Sequence, residues 1–320
     1  MQSCKAAFNT IRDGKLFDGP SVVTLGNFDG VHTGHRQLIG KAVMSAKNRC
    51  LPVAVVTFDP HPLKALSPEQ HPGQLMTLTQ KLSVFESLGV KRVWIIPFSR
   101  EFSELEPEVF LDGLRENLAP SELHVGQSFR FGRNRLGDVS TLQTWGSDFG
   151  CVVHTYAFKA PDGDVLSSSR IRQLLAMGDV GFASDLLGFP FRLTGVVIEG
   201  DRRGRDLGFP TANLAWEQDL LPAPGVYVTV AYCLAHLAGP SLGLTNVGTK
   251  PTFGCRNMTV ETHLPGINVD IYGARMELGF LNRIRSEEEF ESSEILRVKI
   301  AQDIEKGIGW WNSNINPVLL

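Results

Sequence analysis

His32 and His35 sit three positions apart in the stretch Thr24-Leu25-Gly26-Asn27-Phe28-Asp29-Gly30-Val31-His32-Thr33-Gly34-His35. Glycines at 26, 30 and 34 let the backbone take positive φ or approach a ligand closely. From Arg36 to Val43 the apolar positions recur at helical spacing, so the histidines fall where a helix begins. The free N–H groups and the dipole at such a start favour an anion such as phosphate. Two imidazoles beside them add donors, and a proton where one is needed. On spacing alone, two histidines near a turn are more often surface or structural residues.

Further stretches carry the same kind of chemistry. Ser167-Ser168-Ser169-Arg170-Ile171-Arg172 opens a helix that Gly178 is placed to close. Serines at a helix start, with Arg172 in the first turn, make a second phosphate site. Between Gly200 and Asn213 the sequence reads Gly-Asp-Arg-Arg-Gly-Arg-Asp-Leu-Gly-Phe-Pro-Thr-Ala-Asn. Gly204 and Gly208 permit close backbone approach, and Arg205 suits phosphate. The Thr211 hydroxyl and the Asn213 amide are oxygen ligands of the kind Mg²⁺ accepts. Asp59 and His61 follow an apolar run, where polar residues commonly line the ligand crevice of an open α/β sheet. Gln127-Ser128-Phe129-Arg130 follows another strand end and suits a loop over a nucleotide.

The elements that must position these residues are legible in outline. Ser21 to Leu25, Leu51 to Phe58 and Arg92 to Ile96 are apolar runs, as expected of parallel strands covered on both faces. Helical patterns alternate with them, one from Thr79 to Leu88 and another starting near Ser103 to Phe110 with acidic residues in its first turn. The alternation predicts a doubly wound, Rossmann-like α/β sheet. Past a Gly/Pro-rich exit near Phe191 the pattern turns to short β-like runs, Leu193 to Ile198, Gly225 to Cys233 and Val260 to Leu264. These predict a small antiparallel β-barrel, closed by a C-terminal helix over Ile295 to Ile304. The expected division is 1–185 and 186–320. Glu287 to Glu289 reads as a solvated charge run.

With 320 residues the chain has room for two cores. The hydrophobic fraction of 42%, the charged fraction of 20% and the net charge of −3 are those of an ordinary globular protein. They give no electrostatic case for nucleic acid or an acidic membrane. The five cysteines are scattered without Cys-x-x-Cys spacing, which fits a reducing compartment better than a disulfide framework or zinc finger. No apolar run is long enough to span a bilayer, and no signal-peptide core follows Met1. A cytoplasmic protein, monomeric or weakly self-associating, is the expectation.

Gly-Asn-Phe-Asp-Gly-Val-His-x-Gly-His resembles the nucleotide-binding signature of the adenylyl- and cytidylyltransferase superfamily. In its Asn-Phe-Asp-Gly form it resembles the N-terminal half of the prokaryotic bifunctional riboflavin kinase/FAD synthetases. Val125-Gly126 to Gly132 and Ser167 to Arg172 resemble further motifs of that half. Gly-Arg-x-Leu-Gly-Phe-Pro-Thr-Ala-Asn, Asn246 to Phe253 and Val260-Glu261-Thr262-His263-Leu264 resemble those of the kinase half. The resemblance implies ATP, riboflavin, FMN and FAD as small-molecule partners, with Mg²⁺. It implies that Gly26 to Gly30, His32 and His35 bind ATP, the histidines stabilising the α/β phosphates, while Ser168, Ser169 and Arg172 hold pyrophosphate. Asp59, His61, Ser128 and Arg130 would serve FMN or its covering loop. In the kinase half it implies that Gly200, Gly204, Arg205, Gly208, Thr211 and Asn213 bind ATP and metal. Glu261 would take the proton of the riboflavin hydroxyl, and Arg285 would border the flavin. Two places depart from the family pattern: Ser128 stands where Asp or Asn is usual, and Pro265-Gly266-Ile267-Asn268 replaces a Leu-Asp-Phe continuation. The alternatives are a riboflavin kinase with weakened or lost adenylyl transfer, and a non-catalytic flavin-binding protein.

Overall fold

A computed structural model describes residue 17, residues 19–200, residue 204, and residues 207–233, 236–252 and 255–314, with no side-chain detail for 250–252 and 255–257. The chain divides into two compact units, Met1–Leu166 and Ser167–Leu320.

In the first unit the strands are β1 (Ser21–Leu25), β2 (Val53–Asp59), β3 (Arg92–Pro97), β4 (Pro120–Gly126) and β5 (Val152–Tyr156). They form a 5-stranded sheet in the order β3-β2-β1-β4-β5. Every pairing is parallel. The helices are α1 (Thr33–Asn48), α2 (Pro62–Leu66), α3 (Leu78–Ser87), α4 (Arg100–Ser103), α5 (Pro107–Leu118) and α6 (Val139–Phe149). Alternate residues of one strand face opposite sides of the sheet, and each side has its own cover. Val23 and Leu25 enter a core with Leu111, Leu114 and Leu118 of α5 and Leu142 and Trp145 of α6. Val22 packs with Ala42 and Ala46 of α1 on the other side. The doubly wound expectation therefore holds. The helix expected near Ser103 is two elements: Ser103 ends α4, and α5 begins at Pro107. Proline lacks an N–H and has a fixed φ, so it suits a first helical position.

The second unit opens with α7 (Ser168–Met177) and α8 (Val180–Leu187). Ser167 caps α7 through the N–H of Arg170, and Gly178 ends it in the left-handed conformation at φ 81°. A barrel follows, closed in the order β10-β7-β6-β11-β8-β9. Its strands are β6 (Phe191–Ile198), β7 (Thr211–Trp216), β8 (Gly225–Tyr232), β9 (Ser241–Thr252), β10 (Cys255–His263) and β11 (Arg275–Ser286). Inside it, Thr229, Thr245 and Thr262 join their hydroxyls across three strands at 2.8 and 2.9 Å, so these buried polar groups are satisfied. Two bonds tie α7 to this unit. Arg283 donates to the Met177 carbonyl, and the Ala223 N–H to that of Leu175. Compactness thus divides the chain earlier than 185/186.

The C-terminal helix α9 (Ser293–Asn314) is longer than its periodicity suggests and packs on β8, β9 and β11. Glu287 and Glu288, read as merely solvated, have partners. The Thr249 N–H donates to Glu287 at 2.9 Å, and Lys299 lies 3.2 Å from Glu288. Local sequence carries no sign of this, because the partners come from β9 and α9. Among the described residues no helix is long and apolar enough to cross a membrane.

Candidate functional site

In the first unit the chain leaves β1 at Leu25 and turns sharply before α1. Phe28, Gly30 and Val31 all have positive φ, at 49°, 76° and 35°. For Phe28 and the β-branched Val31 this is a strained conformation, tolerated because both side chains are fully buried. The Phe28 ring folds back over Gly26, where a Cβ would sit only 2.9 Å from it. That ring meets the edge of Phe85 on α3 and of His35.

The turn delivers the two histidines as a stacked pair, ring centroids 3.6 Å apart and planes 16° from parallel. Nδ1 of His32 accepts the His35 backbone N–H and so caps α1. In its neutral form His32 therefore carries its proton on Nε2, as a donor. His35 Nδ1 and Asn27 Oδ1 are buried polar atoms with no hydrogen-bond partner in the protein. Such atoms fit a site that a polar ligand completes.

Sequence reasoning missed the support beneath this turn. Lys81 of α3 is buried and donates to the Asn27 carbonyl at 2.9 Å, and Thr57 donates to the same oxygen. Burial lowers the Lys81 pKa, while Asp29 and Asp59 pull it back up. Asp29 in turn accepts the Leu75 N–H at 3.1 Å. The available signal was a lysine four positions before Phe85, on the stripe that α3 buries.

Burial also governs the histidines. It lowers His32 from 6.5 to about 4, and it lowers His35 well below its usual range, with the charges of His32 and Lys81 adding to the effect. Both rings are neutral at pH 7. As pH falls, the unfolded chain takes up protons first, so stability present above pH 6.5 is lost toward the folded-state value. From His32 alone the expected loss between pH 7 and pH 5 is about 2 kcal/mol, with His35 adding to it. Urea unfolding at the two pH values, with His32→Asn as the comparison that flattens the slope, measures it.

The other expected residues of this unit are placed as follows. Asp59 ends β2, and the His61 ring caps α2 through the Leu63 N–H while lying 5.1 Å from the His71 ring. Ser128 is exposed in the turn after β4. Arg130 pairs with Asp138 at 2.8 Å, and Asp138 caps α6, so this arginine is tied into its own loop. Ser168, Ser169 and Arg172 lie in the first turns of α7, in the second unit.

In the barrel, β7 and β10 pair so that Asn213 faces Glu261 and Thr211 faces His263. Ala212, Leu214, Val260 and Thr262 are buried, which leaves Thr211, Asn213 and Glu261 together on the half-buried side of the two strands. The Thr211 hydroxyl is 3.4 Å from a Glu261 carboxylate oxygen. His263 Nδ1 bonds the Pro210 carbonyl at 2.8 Å and steadies the entry to β7. The glycines of the preceding loop have a steric reason. A Cβ at Gly200 would lie 2.1 Å from the Asn213 amide nitrogen, and one at Gly204 would lie 2.5 Å from the Phe209 carbonyl. Gly208 takes φ 89°, a value that favours glycine. Arg205 lies outside the described residues. Arg285 bonds Asp303 of α9 at 2.8 Å and lies over Phe290, which fastens the helix to β11.

A parallel sheet whose first strand ends in a turn bearing two histidines, joined to a barrel presenting hydroxyl, amide and carboxylate together, fits a two-part nucleotide-dependent transferase. The FAD synthetase family model matches residues 15–170 and the riboflavin kinase family model residues 187–310. The chain belongs to the bifunctional riboflavin kinase/FMN adenylyltransferase family. A bifunctional riboflavin kinase/FMN adenylyltransferase of Escherichia coli (strain K12) is 37% identical over 283 residues, covering 88% of this chain and 90% of that protein. One of Bacillus subtilis (strain 168) is 35% identical over 300 residues, covering 92% and 93%. A crystal structure described as a macrolide-efflux protein from Streptococcus pneumoniae matches with a TM-score of 0.85 at 29% identity, over 95% of this chain and 99% of that one.

Proposed function

We propose that the chain phosphorylates riboflavin to FMN with ATP and adenylylates FMN to FAD with a second ATP, releasing pyrophosphate. The observation that carries this reading is the Thr211, Asn213 and Glu261 constellation on paired strands, beside Gly200 and Gly204, where a larger side chain would clash. In the kinase half, Glu261 accepts the proton of the riboflavin 5′-hydroxyl as that oxygen attacks the γ-phosphate. Thr211 and Asn213 supply adjacent hard oxygen donors, a set that fits Mg²⁺. When bound there, Mg²⁺ supplies neutralisation of phosphate charge. Gly200 lies against Asn213 and Gly204 against Thr211, and Arg285 serves as a positioning residue through α9.

In the adenylyltransferase half, the phosphate of FMN attacks the α-phosphorus of ATP in line with departing pyrophosphate. His32 and His35, neutral and stacked, donate to the phosphate oxygens, so charge gained there meets preplaced N–H groups. Asn27 and His35, each with an unpartnered buried atom, are assigned to the nucleotide. Asp59, His61, Ser128 and Arg130 are assigned to the flavin side. Ser168, Ser169 and Arg172 are assigned to pyrophosphate on the strength of their motif. Functionally the division is 1–185 for adenylyl transfer and 186–320 for the kinase, in a cytoplasmic enzyme of small molecules.

A chromatographic assay with ATP, Mg²⁺ and either riboflavin or FMN tests the reading: FAD from both supports it, and no product from either overturns it. A second reading, a kinase with weakened adenylyl transfer, is favoured by the short side chain at Ser128. Ser128→Asn is expected to raise FAD formation several-fold at unchanged FMN formation. A flat response in that assay shows that the hydroxyl suffices.

A further inference from the structure

On β4 the apolar pattern holds on one face only. Leu123 and Val125 enter the core beneath α5 and α6, whereas Glu122 and His124 lie on the α1 side. Parallel pairing sets His124 beside His154, and the two rings stack at 4.6 Å. Nε2 of His124 lies 3.2 Å, and Nε2 of His154 3.6 Å, from one carboxylate oxygen, Oε2 of Glu122. All three atoms lie within 4.8 Å of one another. Tetrahedral coordination at bonds of about 2.0–2.2 Å sets ligand atoms roughly 3.4 Å apart, so the spacing suits a shared ion.

We propose that Glu122, His124 and His154 form a binding site for a four-coordinate divalent transition-metal ion, zinc foremost, with solvent as the fourth ligand. Two imidazoles and one carboxylate are a donor set zinc takes and magnesium does not favour. The site lies in the first unit, whereas the Thr211 and Asn213 donors assigned to Mg²⁺ lie in the barrel.

The groups around the three ligands behave as outer-shell supports. Tyr156 bonds His124 Nδ1 at 3.0 Å, orienting the ring that presents Nε2. Arg49 bonds the other Glu122 oxygen, and the Ser45 hydroxyl bonds Oε2. The Glu122 and His124 side chains are 7% and 3% exposed, but that of His154 is 39% exposed, which leaves a route for the ion and for solvent. Burial works to raise the Glu122 carboxyl. The bonds from Ser45, Arg49 and His124 outweigh it and hold the pKa at about 2. Arg49 and Lys41 place positive charge on the α1 side, which weakens the hold on a cation. Arg49 is half-exposed and its charge is screened. Ser45 lies ten residues along α1 from His35, roughly 15 Å at helical rise, so the site is separable from the nucleotide turn.

The test uses the full chain, stripped with chelator and free of nucleotide, titrated with Zn²⁺ by calorimetry and with Co²⁺ by visible absorption. Wild type is expected to bind one Zn²⁺ that His154→Ala does not, and to give the intense bands of four-coordinate Co²⁺ that the variant lacks. Tyr156→Phe keeps the site but weakens Zn²⁺ affinity about tenfold. If the alanine variant fails to fold, His154→Phe, which retains a ring in the stack, takes its place. Equal stoichiometry and affinity in wild type and the variant overturn the proposal, as does a wild type that binds no Zn²⁺ or gives only six-coordinate Co²⁺.

Discussion

Glu261→Ala is expected to abolish formation of FMN from riboflavin and ATP while FMN is still converted to FAD at the wild-type rate. General-base catalysis contributes roughly 10²- to 10⁴-fold, and the loss in kcat should fall in that range. Glu261 lies on the half-buried side of β10 opposite Asn213, so its removal opens no cavity in the barrel interior. Glu261→Gln separates the base from the scaffold. The amide still accepts the Thr211 hydroxyl but takes no proton, so it should be nearly as inactive as alanine. Steady-state kinetics of both reactions on each variant settle the matter. Kinase activity within a few-fold of wild type in the glutamine variant removes the role assigned to this carboxylate.

His32→Ala should produce the converse phenotype: FMN accumulates and FAD synthesis falls by about 10²- to 10³-fold, the effect of removing one preplaced donor from a developing anion. The same substitution removes the cap of α1, at a cost of about 1 kcal/mol, so a stability control is needed. His32→Asn supplies it, because asparagine caps helices well. The asparagine variant is expected to match wild type in unfolding at pH 7 and still to make little FAD. FAD synthesis at the wild-type rate in either variant overturns the assignment of His32.

Much of this architecture follows from local pattern. The run Ser21 to Leu25 was legible as β1 to the residue, because a parallel strand covered on both faces is continuously apolar. Gly178 was legible as the end of α7, because few residues other than glycine take its left-handed conformation without cost. The helix placed near Ser103 was misjudged because two short elements, α4 and α5, share one stretch of helical composition. Glu104 to Glu106 separate them, and Pro107 opens the second.

By itself the sequence determined the fold class, the order of the two halves and the histidine, threonine, asparagine and glutamate residues of the candidate sites. These depend on side-chain type and spacing along one segment, and local physical chemistry reads such spacing directly. Only the tertiary structure decided what comes from segments far apart in the chain. It brought Lys81 beneath Asn27, gave Arg130 and Arg285 to Asp138 and Asp303, and made a partner of Glu287 for Thr249. It also gathered Glu122, His124 and His154 around one carboxylate oxygen. The physical reason is that a charged side chain has no fixed environment until strand pairing and helix packing choose its neighbours.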